Sequence, residues 1–490
     1  MSTVDLRSIA GALRAAGLLI ESRGSLPDKV SDIADHSRHV TPGGLFIAVR
    51  GALLDGHAYL GEASARGAIA AMVEDPGATE LPALVVRESR RAVAVAAAAA
   101  FGFPARVLRL VGVTGTNGKT TTVNILRHLL NDQESVAASI GTLGVLVGSP
   151  GEPVEGGEGL TTPGPVELQR LFRALVDRGV RSVVMEVSSH SLHQHRVEGV
   201  AFAAAVFTNL TRDHLDYHET MEAYFAAKAR LVALVSPGGV VAVNADDAAW
   251  GALPTGPRMV TFGVREPAMV RATGVRYTPT GSDWTIEANE ARAAVRLPLI
   301  GDFNVANAVG AAAAVWGMGL GLPEIAARLT NVPQVPGRLE VIGTRPTVLR
   351  DYAHTPDALE RALEAVRPFA HRRLIVVFGC GGDRDRGKRA PMGAIAAEHA
   401  DLAIVTSDNP RTEDPERILD DIETGMPSGR HERYADRREA IARALAVAQP
   451  DDVVVLAGKG HETYQVRGTT KYPFDEQVIV RELMAAGGAR

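Results

Sequence analysis

The segment 107–124, which reads VLRLVGVTGTNGKTTTVN, contains residues whose types and spacing suit phosphate chemistry. An apolar run ends in a Gly/Thr-rich turn, and Lys119 then opens a helical pattern. Glycines let backbone N–H groups point at phosphate oxygens, and the helix N-terminus adds its positive end. Lys119 would reach the β- and γ-phosphates, and the Thr120 hydroxyl would face Mg²⁺. The residues predicted to bind a nucleoside triphosphate here are Gly115, Thr116, Asn117, Gly118, Lys119, Thr120 and Thr121.

The spacing of this loop departs from the common consensus G-x-x-x-x-G-K-[ST]. That consensus would place a glycine at position 113, where this chain has Val113, with Gly112 one residue earlier. The alternative is a Gly/Thr-rich turn without a function. The strand pattern before the turn and the helix pattern after it both favour the phosphate loop.

Polar residues follow the next two predicted strands. Glu186 ends the apolar run 182–187, and His214 comes soon after the run 203–207. A carboxylate at a strand end can hold Mg²⁺ directly or through water, whereas the alternative is a solvated glutamate. Three further histidines, at positions 190, 193 and 195, mean that the number of histidines alone does not single out His214. Lys228 lies on a helical pattern, and the residues alone favour an exposed lysine there.

The composition narrows the class of protein. A length of 490 residues predicts about three domains, and 46% apolar with 22% charged residues is typical of a globular protein. The net charge of −5 and the lack of a basic block argue against nucleic acid as a partner. The single Cys380 excludes a disulfide framework and fits a reducing compartment.

We expect a cytoplasmic protein that inserts into no membrane. The N-terminal segment LRSIAGALRAAGLLI carries arginines within its apolar pattern, so we expect an amphipathic helix and no targeting segment. The alanine-rich run Ala92–Phe103 is too short to span a bilayer.

The alternation of apolar runs and helical patterns predicts the α/β class. We expect a small α/β unit over 1–105, a mainly parallel sheet over 106–332, and a second α/β series over 333–490. The Gly/Pro/Glu-rich stretch 148–159 is predicted as a mobile surface loop, and 331–336 as a linker. The strands predicted in the last series are 347–350, 374–378, 402–406 and 452–456. Each ends at a polar or Gly-rich segment, where parallel sheets place functional loops.

Taken together, GVTGTNGKTTT, EVSSH, TNLTRDHLDYH and AAKARL resemble the Mur ligase family, and within it the enzymes that make the UDP-N-acetylmuramoyl tripeptide. The resemblance covers essentially the whole chain. It implies a uridine-nucleotide-binding domain at 1–105, a central ATP-binding domain at 106–332 and a Rossmann-like domain for the incoming amino acid at 333–490. It also implies ATP-dependent, ADP-forming amide synthesis through an acyl phosphate and a tetrahedral intermediate, in peptidoglycan precursor synthesis.

The resemblance assigns roles residue by residue. It implies catalytic roles for Lys119, Glu186, His214 and Lys228, with Lys228 carbamylated and Mg²⁺ bound by Thr120, Glu186, His214 and the carbamate. Further ATP contacts would come from Asn304, Arg338 and Asp351, for which turn and capping roles are the alternative. The residues implied for UDP-MurNAc-L-Ala-D-Glu are Ser37, Thr161, Thr162, Ser188, Gln194 and Arg196. One departure lies at His36-Ser37-Arg38, where the family usually has Asp-Ser-Arg.

The segment SDNPRTEDP bears on which amino acid is added. Asn409-Pro410 sets a turn after a strand, and Arg411 can take a carboxylate through two hydrogen bonds. The Asp-Asn-Pro-Arg form resembles family members that add meso-diaminopimelate, because lysine lacks the distal carboxylate that would pair with Arg411. The alternative is a surface arginine in a turn. The full set implied for diaminopimelate is Arg384, Asp408, Asn409, Pro410, Arg411, Gly458 and Glu462.

The leading hypothesis is therefore an ATP- and Mg²⁺-dependent ligase, expected to act as a monomer, that joins meso-diaminopimelate to UDP-MurNAc-L-Ala-D-Glu. A related ligase, such as a folylpolyglutamate or cyanophycin synthetase, is the nearest alternative. A P-loop ATPase that regulates or scaffolds would hydrolyse ATP without any acceptor amine. A nucleotide-binding protein without catalysis is the third alternative, and it leaves Glu186, His214 and Lys228 unexplained.

Overall fold

The computed structural model describes residues 3–51, 54–157, 159–427, 429 and 431–487. Its internal contacts divide the chain into two compact units. Unit 1 comprises Met1–Arg271, Ile286–Ala293 and Ala306–Arg328, and unit 2 comprises Ala272–Thr285, Ala294–Val305 and Leu329–Arg490. Each unit is described by itself below.

Unit 1 begins with a small sheet and continues into a larger one. The small sheet has the strand order Leu19–Arg23, Ala83–Val86, Ala70–Val73, Leu45–Ile47 and Ile33–Ala34. In the larger sheet the order runs Glu152–Val154, Gly144–Val147, Val136–Gly141, Val180–Glu186, Arg109–Thr114, Phe202–Phe207, Val235–Asn244 and Arg258–Gly263. From Val136–Gly141 to Arg258–Gly263 all neighbouring strands are parallel.

Helices cover these sheets. In unit 1 they are Leu6–Ala15, Leu60–Ala65, Ser89–Ala100, Lys119–Leu130, Pro165–Asp177, Ser189–His193, Leu215–His218 and Met221–Ala233. The core under them is apolar and buried, with Leu110, Phe172 and Phe207 at its centre. The helix Met221–Ala233 begins at Thr220, whose hydroxyl accepts the backbone N–H of Ala223. A threonine in this position satisfies one of the helix's free amides.

The next elements come after Arg258–Gly263 in the chain. They are the strands Val270–Thr278, Gly281–Ala288 and Ala291–Leu297 and the helices Asp302–Gly317 and Leu322–Leu329.

Unit 2 contains a six-stranded sheet with helices on both faces. Its strand order is Glu340–Thr344, Thr347–Asp351, Val453–Ala457, Leu374–Phe378, Leu402–Thr406 and His431–Tyr434. Alternate residues of Leu374–Phe378 point into two separate cores, Val376 into one and Ile375 into the other. The helices are Pro356–Val366, Arg389–His399, Pro415–Glu423, Arg437–Val447 and Glu476–Gly487, and a hairpin pairs Tyr464–Arg467 with Thr470–Pro473.

The α/β class with mainly parallel sheets is confirmed, and so are the strands 374–378 and 402–406. Two local predictions were wrong. The N-terminal helix ends at Ala15, and its predicted continuation forms the strand Leu19–Arg23, because Gly17 adopts a positive φ that breaks the helix. The predicted loop 148–159 contains the strand Glu152–Val154, which pairs with Gly144–Val147. In the described part of the chain, no helix is long and apolar enough to cross a membrane.

Candidate active site

The predicted phosphate loop joins the strand Arg109–Thr114 to the helix Lys119–Leu130. Gly118 has a φ of 82°, in the left-handed region that favours glycine. A Cβ on Gly115 would lie 1.9 Å from the Thr208 hydroxyl, and one on Gly118 would lie 2.3 Å from Asn307 Oδ1. The backbone shape and the neighbouring atoms therefore both require glycine in this loop.

Two residues that directly follow the neighbouring strand Phe202–Phe207 hold the phosphate loop in place. The Thr208 hydroxyl donates to the carbonyl of Asn117 (2.7 Å), and Asn209 Oδ1 accepts the N–H of Asn117 (2.9 Å). The N–H of Thr116 donates to the carbonyl of Asn209 (2.7 Å). Our sequence analysis missed Thr208 and Asn209 as holders of the loop. Their position directly after an apolar strand was the available signal.

Glu186 and Thr120 meet as predicted. The Glu186 side chain is buried, and its Oε1 accepts the Thr120 hydroxyl (3.0 Å) and the backbone N–H of Thr142 (2.8 Å). A Cβ on Gly141 would lie 2.4 Å from the same oxygen, so the strand edge leaves room only for glycine. A buried carboxylate beside a hydroxyl is a hard oxygen donor set, and these residues therefore fit Mg²⁺. Thr142 was not predicted.

Lys228 is buried, contrary to what its residue type alone favours. Its Nζ donates to the carbonyl of Gly115 (2.8 Å), and Lys119 Nζ donates to that same oxygen (3.0 Å). Burial, aided by the charge of Lys119, holds the pKa of Lys228 well below its usual value, while Asp213 opposes this shift. The amine lies 4.4 Å from the centre of the Tyr224 ring. Burial and the charge of Lys119 thus disfavour the ammonium form of Lys228, whereas the Gly115 carbonyl and the Tyr224 ring are contacts that an ammonium can make.

His214 lies at the start of the helix Leu215–His218 with a φ of 55°. Its ring packs edge-on against His190 at a centroid distance of 4.8 Å and lies 6.2 Å from Tyr224, the ring that contacts Lys228. Burial lowers the pKa of His214, and the charges of Lys119 and Lys228 act in the same direction. Among the described residues His214 makes no direct hydrogen bond or ion pair with Glu186, and its role as a metal ligand stays a prediction.

The residues implied for the peptide substrate cluster beside Glu186. The Thr162 hydroxyl donates to the Glu186 carbonyl (3.0 Å) and accepts the N–H of Ser188 (3.1 Å). Arg196 Nη1 donates to the Thr162 carbonyl (2.9 Å), and its Nη2 donates to Gln194 Oε1 (2.7 Å). The fifth residue, Thr161, accepts a long hydrogen bond of 3.4 Å from the Thr142 hydroxyl. The structure therefore brings this predicted group together.

Ser37 lies apart from that group. Its hydroxyl donates to Glu62 Oε2 (2.9 Å). A cavity of about 650 Å³ opens nearby in unit 1, and its lining includes Asp35, His36 and His39. Burial raises the pKa of Asp35. Ser37 is not among the residues that line this cavity, whereas His36, the departure from the family pattern, is one of them.

The three residues predicted to contact ATP outside the phosphate loop lie in unit 2, and each contacts groups of its own unit. The Asp351 carboxylate accepts the N–H groups of Leu339 (2.7 Å) and Ala353 (2.8 Å). Asn304 Nδ2 donates to the carbonyl of Ile300 (2.8 Å), and the Arg338 guanidinium lies 4.7 Å from the centre of the Tyr352 ring. The roles of the three residues toward ATP stay predictions.

The residues implied for diaminopimelate gather where the strands of unit 2 end. Asn409 Nδ2 donates to Glu462 Oε2 (2.9 Å), and Asp408 is buried beside them. Gly458 has a φ of 114°, and a Cβ there would lie 3.6 Å from the Asp408 carboxyl carbon. Lys459, which the sequence analysis missed, is fully buried in the same cluster.

The loop carrying Arg411 packs on the glycines after Leu374–Phe378. A Cβ on Gly382 would lie 1.9 Å from the Pro410 carbonyl, so the two loops are in direct contact. Arg411 has a φ of 51° and its Nη1 donates to the carbonyl of Gly382 (2.8 Å). Within the described residues it makes no ion pair. Arg384 is exposed and donates to the carbonyl of Asp383 (3.1 Å).

Glu413 fastens this loop region and gives a pH-dependent prediction. It accepts hydrogen bonds from the buried Arg389 (2.9 Å) and from Arg386, and Arg389 lowers the pKa of Glu413 from 4.5 to about 2. Since the pKa is lower in the folded protein, the contribution to stability is full above 4.5 and lost as the pH falls toward about 2. We expect Glu413→Gln to lower the melting temperature at neutral pH, with the deficit shrinking across that window. The exposed Glu290→Gln is the control, and a deficit independent of pH would contradict the assignment.

Three family models match the chain in order: "Mur ligase family, catalytic domain" over 29–109, "Mur ligase middle domain" over 113–315, and "Mur ligase, glutamate ligase domain" over 337–460. A UDP-N-acetylmuramoyl-L-alanyl-D-glutamate–2,6-diaminopimelate ligase of Geobacillus thermodenitrificans is 45% identical over 94% of this chain and 95% of its own. The enzyme of the same name from Synechococcus elongatus is 45% identical over 98% of this chain and 99% of its own.

Solved structures give the same result. A structure of a UDP-N-acetylmuramoyl-L-alanyl-D-glutamate–2,6-diaminopimelate ligase is 33% identical, with a TM-score of 0.69, covering 99% of this chain and 100% of its own. The folylpolyglutamate synthase of Mycobacterium tuberculosis is 20% identical with a TM-score of 0.62 over 75% of this chain and 92% of its own, and it shares the fold alone. The chain belongs to the Mur ligase family.

Proposed function

We propose that the chain is an ADP-forming ligase that joins meso-diaminopimelate to the D-Glu carboxylate of UDP-MurNAc-L-Ala-D-Glu, a step of peptidoglycan precursor synthesis. The observation that carries this proposal is its similarity to relatives of that name over nearly their whole length. It is supported by the buried Glu186 and Thr120 beside the phosphate loop. We place the enzyme in the cytoplasm, because ATP and UDP-linked precursors are cytoplasmic. We also propose that it acts as a monomer.

The reaction has two chemical steps. An oxygen of the D-Glu carboxylate attacks the γ-phosphorus of ATP, the bond to the β-phosphate oxygen breaks, and ADP leaves an acyl phosphate. The amine nitrogen of diaminopimelate then attacks the acyl carbon, giving a tetrahedral intermediate. This intermediate expels inorganic phosphate, and the nitrogen loses a proton as the amide forms. Positioning and charge neutralisation carry most of the rate in phosphoryl transfer.

Each residue near the loop has a part in this chemistry. The backbone of the loop and Lys119 would hold the phosphates, while Thr120, Glu186 and His214 would hold Mg²⁺. The ion supplies charge neutralisation at the phosphate oxygens when bound. The Lys119 ammonium donates to two loop carbonyls, those of Gly115 and Thr116 (3.0 and 2.8 Å). When ATP binds, phosphate oxygens would replace these two acceptors.

Lys228 acts as a carbamate in this proposal. An uncharged amine adds CO₂ through its nitrogen and releases one proton, which turns a potential cation into an anion. The surroundings support this because Lys119 places a second positive group at the same carbonyl oxygen. The anion relieves the repulsion between the two lysines and adds an oxygen ligand for a metal ion. The cost of burying the carbamate would be offset by its pairing with the charge of Lys119.

The remaining predicted residues bind the two organic substrates and the adenosine end of ATP. Hydroxyl groups and a guanidinium suit the carboxylates and pyrophosphate of the UDP-linked peptide. We assign to this substrate Ser37, Thr161, Thr162, Ser188, Gln194 and Arg196. We assign contacts with ATP to Asn304, Arg338 and Asp351. We assign to diaminopimelate Arg384, Asp408, Asn409, Pro410, Arg411, Gly458 and Glu462.

Arg411 gives a prediction on specificity. We expect Arg411→Ala to lower kcat/KM for meso-diaminopimelate by about 10²-fold, because a buried carboxylate then loses its charged partner. Arg467→Ala is the matched control. Arg467 pairs with Arg411 through a backbone β-bridge, but its own side chain is exposed. Steady-state kinetics with varied amino acid measure the effect. Equal losses in both variants would contradict a carboxylate-binding role for Arg411.

The function itself is tested by phosphate release from ATP in the presence of UDP-MurNAc-L-Ala-D-Glu. Three reactions are compared, with meso-diaminopimelate, with L-lysine and with no amine, and the products are weighed by mass spectrometry. We expect release only with diaminopimelate, and a product heavier by that residue. Turnover with lysine would be consistent with a ligase but would refute the proposed specificity for diaminopimelate. Equal release without any amine would refute the ligase.

A further inference from the structure

A buried lysine lies at the centre of the cluster in unit 2. Lys459 is fully buried, and its Nζ donates to Asn409 Oδ1 (3.2 Å) and forms ion pairs with Glu462 Oε2 (3.3 Å) and Asp408 Oδ1 (3.6 Å). Asn409 Oδ1 also accepts the N–H of Val466 (2.8 Å). The lysine thus connects all three polar side chains of the cluster.

These contacts fix which atoms of the cluster remain available. Asn409 must present its oxygen to Lys459 and its Nδ2 to Glu462, so the orientation of its amide is determined. Glu462 uses Oε2 for both bonds, and its Oε1 has no hydrogen-bond partner among the described residues. The buried Oδ1 of Asp408 also has no hydrogen-bond partner there. One buried carboxylate oxygen, Asp408 Oδ1, is therefore held in place without a hydrogen-bond donor, with Lys459 Nζ 3.6 Å away.

The charges of the cluster also bear on what it can accept. Asp408 and Glu462 flank the ammonium of Lys459, and the charge of Lys388 also acts on Asp408. A buried carboxylate oxygen without a donor is costly, so a ligand that brings an ammonium group would supply the missing donor. Without Lys459 the two carboxylates would repel each other, and neither would keep its orientation.

We propose that Lys459 is a positioning residue, which holds Asn409 and Glu462 so that the cluster accepts one ammonium group of the incoming amino acid. This inference rests on the proposed ligase function. A purely structural lysine would need only to satisfy the carboxylates. The buried Oδ1 of Asp408, which has no hydrogen-bond donor among the described residues, distinguishes a binding site from a closed ion-pair network.

The chain offers a matched control. Lys471 is an exposed lysine whose Nζ lies 4.1 Å from the centre of the Tyr464 ring, and Lys459 faces the same ring at 5.9 Å. We compare Lys459→Met, Lys459→Arg and Lys471→Met by the KM for each of the three substrates, by kcat and by the melting temperature. The methionine keeps the length of the side chain without its charge, whereas the arginine keeps the charge and changes the geometry.

We expect Lys459→Met to raise the KM for diaminopimelate about tenfold, the size of one lost charge-assisted hydrogen bond, with the KM values of ATP and the UDP-linked peptide unchanged. Lys459→Arg should give an intermediate KM for diaminopimelate. This second variant tests the proposal even where the methionine variant does not fold. Lys471→Met should match the wild type.

Two results would overturn the proposal. One is an equal rise of all three KM values in Lys459→Met, and the other is a wild-type KM for diaminopimelate in Lys459→Arg. A failure of the ligase function is recognised separately, because the unchanged enzyme would then release no phosphate that depends on diaminopimelate.

Discussion

Replacing Lys228 with alanine is expected to slow ligation by about 10²–10³-fold at saturating substrates, the usual cost of removing a group that stabilises developing charge. The physical reason is the position of the side chain, buried at the carbonyl of Gly115 together with Lys119. Removing it takes away the proposed carbamate anion and leaves Lys119 without a charge that offsets its own. Pre-steady-state measurement of ADP formation places the loss in the first chemical step.

Two further measurements separate a carbamate from a merely packed lysine. Lys29→Ala, at an exposed lysine of unit 1, is the control and should retain full activity. Equilibration with ¹³C-bicarbonate should give a carbamate carbon signal in the wild type that is absent from Lys228→Ala. A wild-type enzyme with no such signal and full activity in CO₂-depleted buffer would refute the modification, even if the alanine variant were inactive.

The second large effect concerns stability. Arg437 and Glu476 form an ion pair of 2.8 Å in which both side chains are fully buried, and Arg437 Nη2 also donates to the carbonyl of Ala457 (2.8 Å). We expect Arg437→Met to destabilise this part of unit 2 by about 3–5 kcal/mol, because the glutamate would stay buried without its partner. Hydrogen–deuterium exchange of Val453–Ala457 and of the helix Glu476–Gly487 measures the loss locally.

A neighbouring pair supplies the control. Arg438 and Glu482 join the same two helices at 2.7 Å, but both side chains are about half exposed. Exposed pairs of this kind contribute about 0–1 kcal/mol, so Arg438→Met should leave exchange nearly unchanged. The double variant Arg437→Met/Glu476→Leu should recover most of the lost protection, since it removes the unpaired charge. Equal protection in the two single variants would show that burial does not set the energy of the pair.

Much of the fold followed from patterns that report burial directly. The run 374–378 is apolar throughout and the run 402–406 is apolar up to Thr406, and both lead into polar or glycine-rich segments, which is what a strand covered on both faces requires. The glycine loop and Glu186 were found in the same way, because each follows such a strand. Our sequence analysis therefore located the side chains that lie at the carboxyl ends of parallel strands.

What it missed depends on contacts between distant parts of the chain. Thr142 reaches Glu186 only because the strands Val136–Gly141 and Val180–Glu186 are neighbours in the sheet. Lys228 was singled out by the family resemblance alone, and Lys459 was missed, because both have the residue type of solvated side chains and only the assembled fold buries them. The strand Glu152–Val154 is rich in residues typical of loops, so its pairing with Gly144–Val147 overrode the local preference.

Thr162 makes contacts that constrain how this sequence can change over evolution. Its hydroxyl bonds to the main chain at Glu186 and Ser188, while its carbonyl is held by Arg196. A mutation of Thr162 would therefore disturb both Glu186, beside the phosphate loop, and the residues Ser188 and Arg196 that we assign to the UDP-linked peptide. We therefore expect Thr162, Ser188 and Arg196 to covary as a set among homologues, so that their joint presence marks descent better than any one of them does.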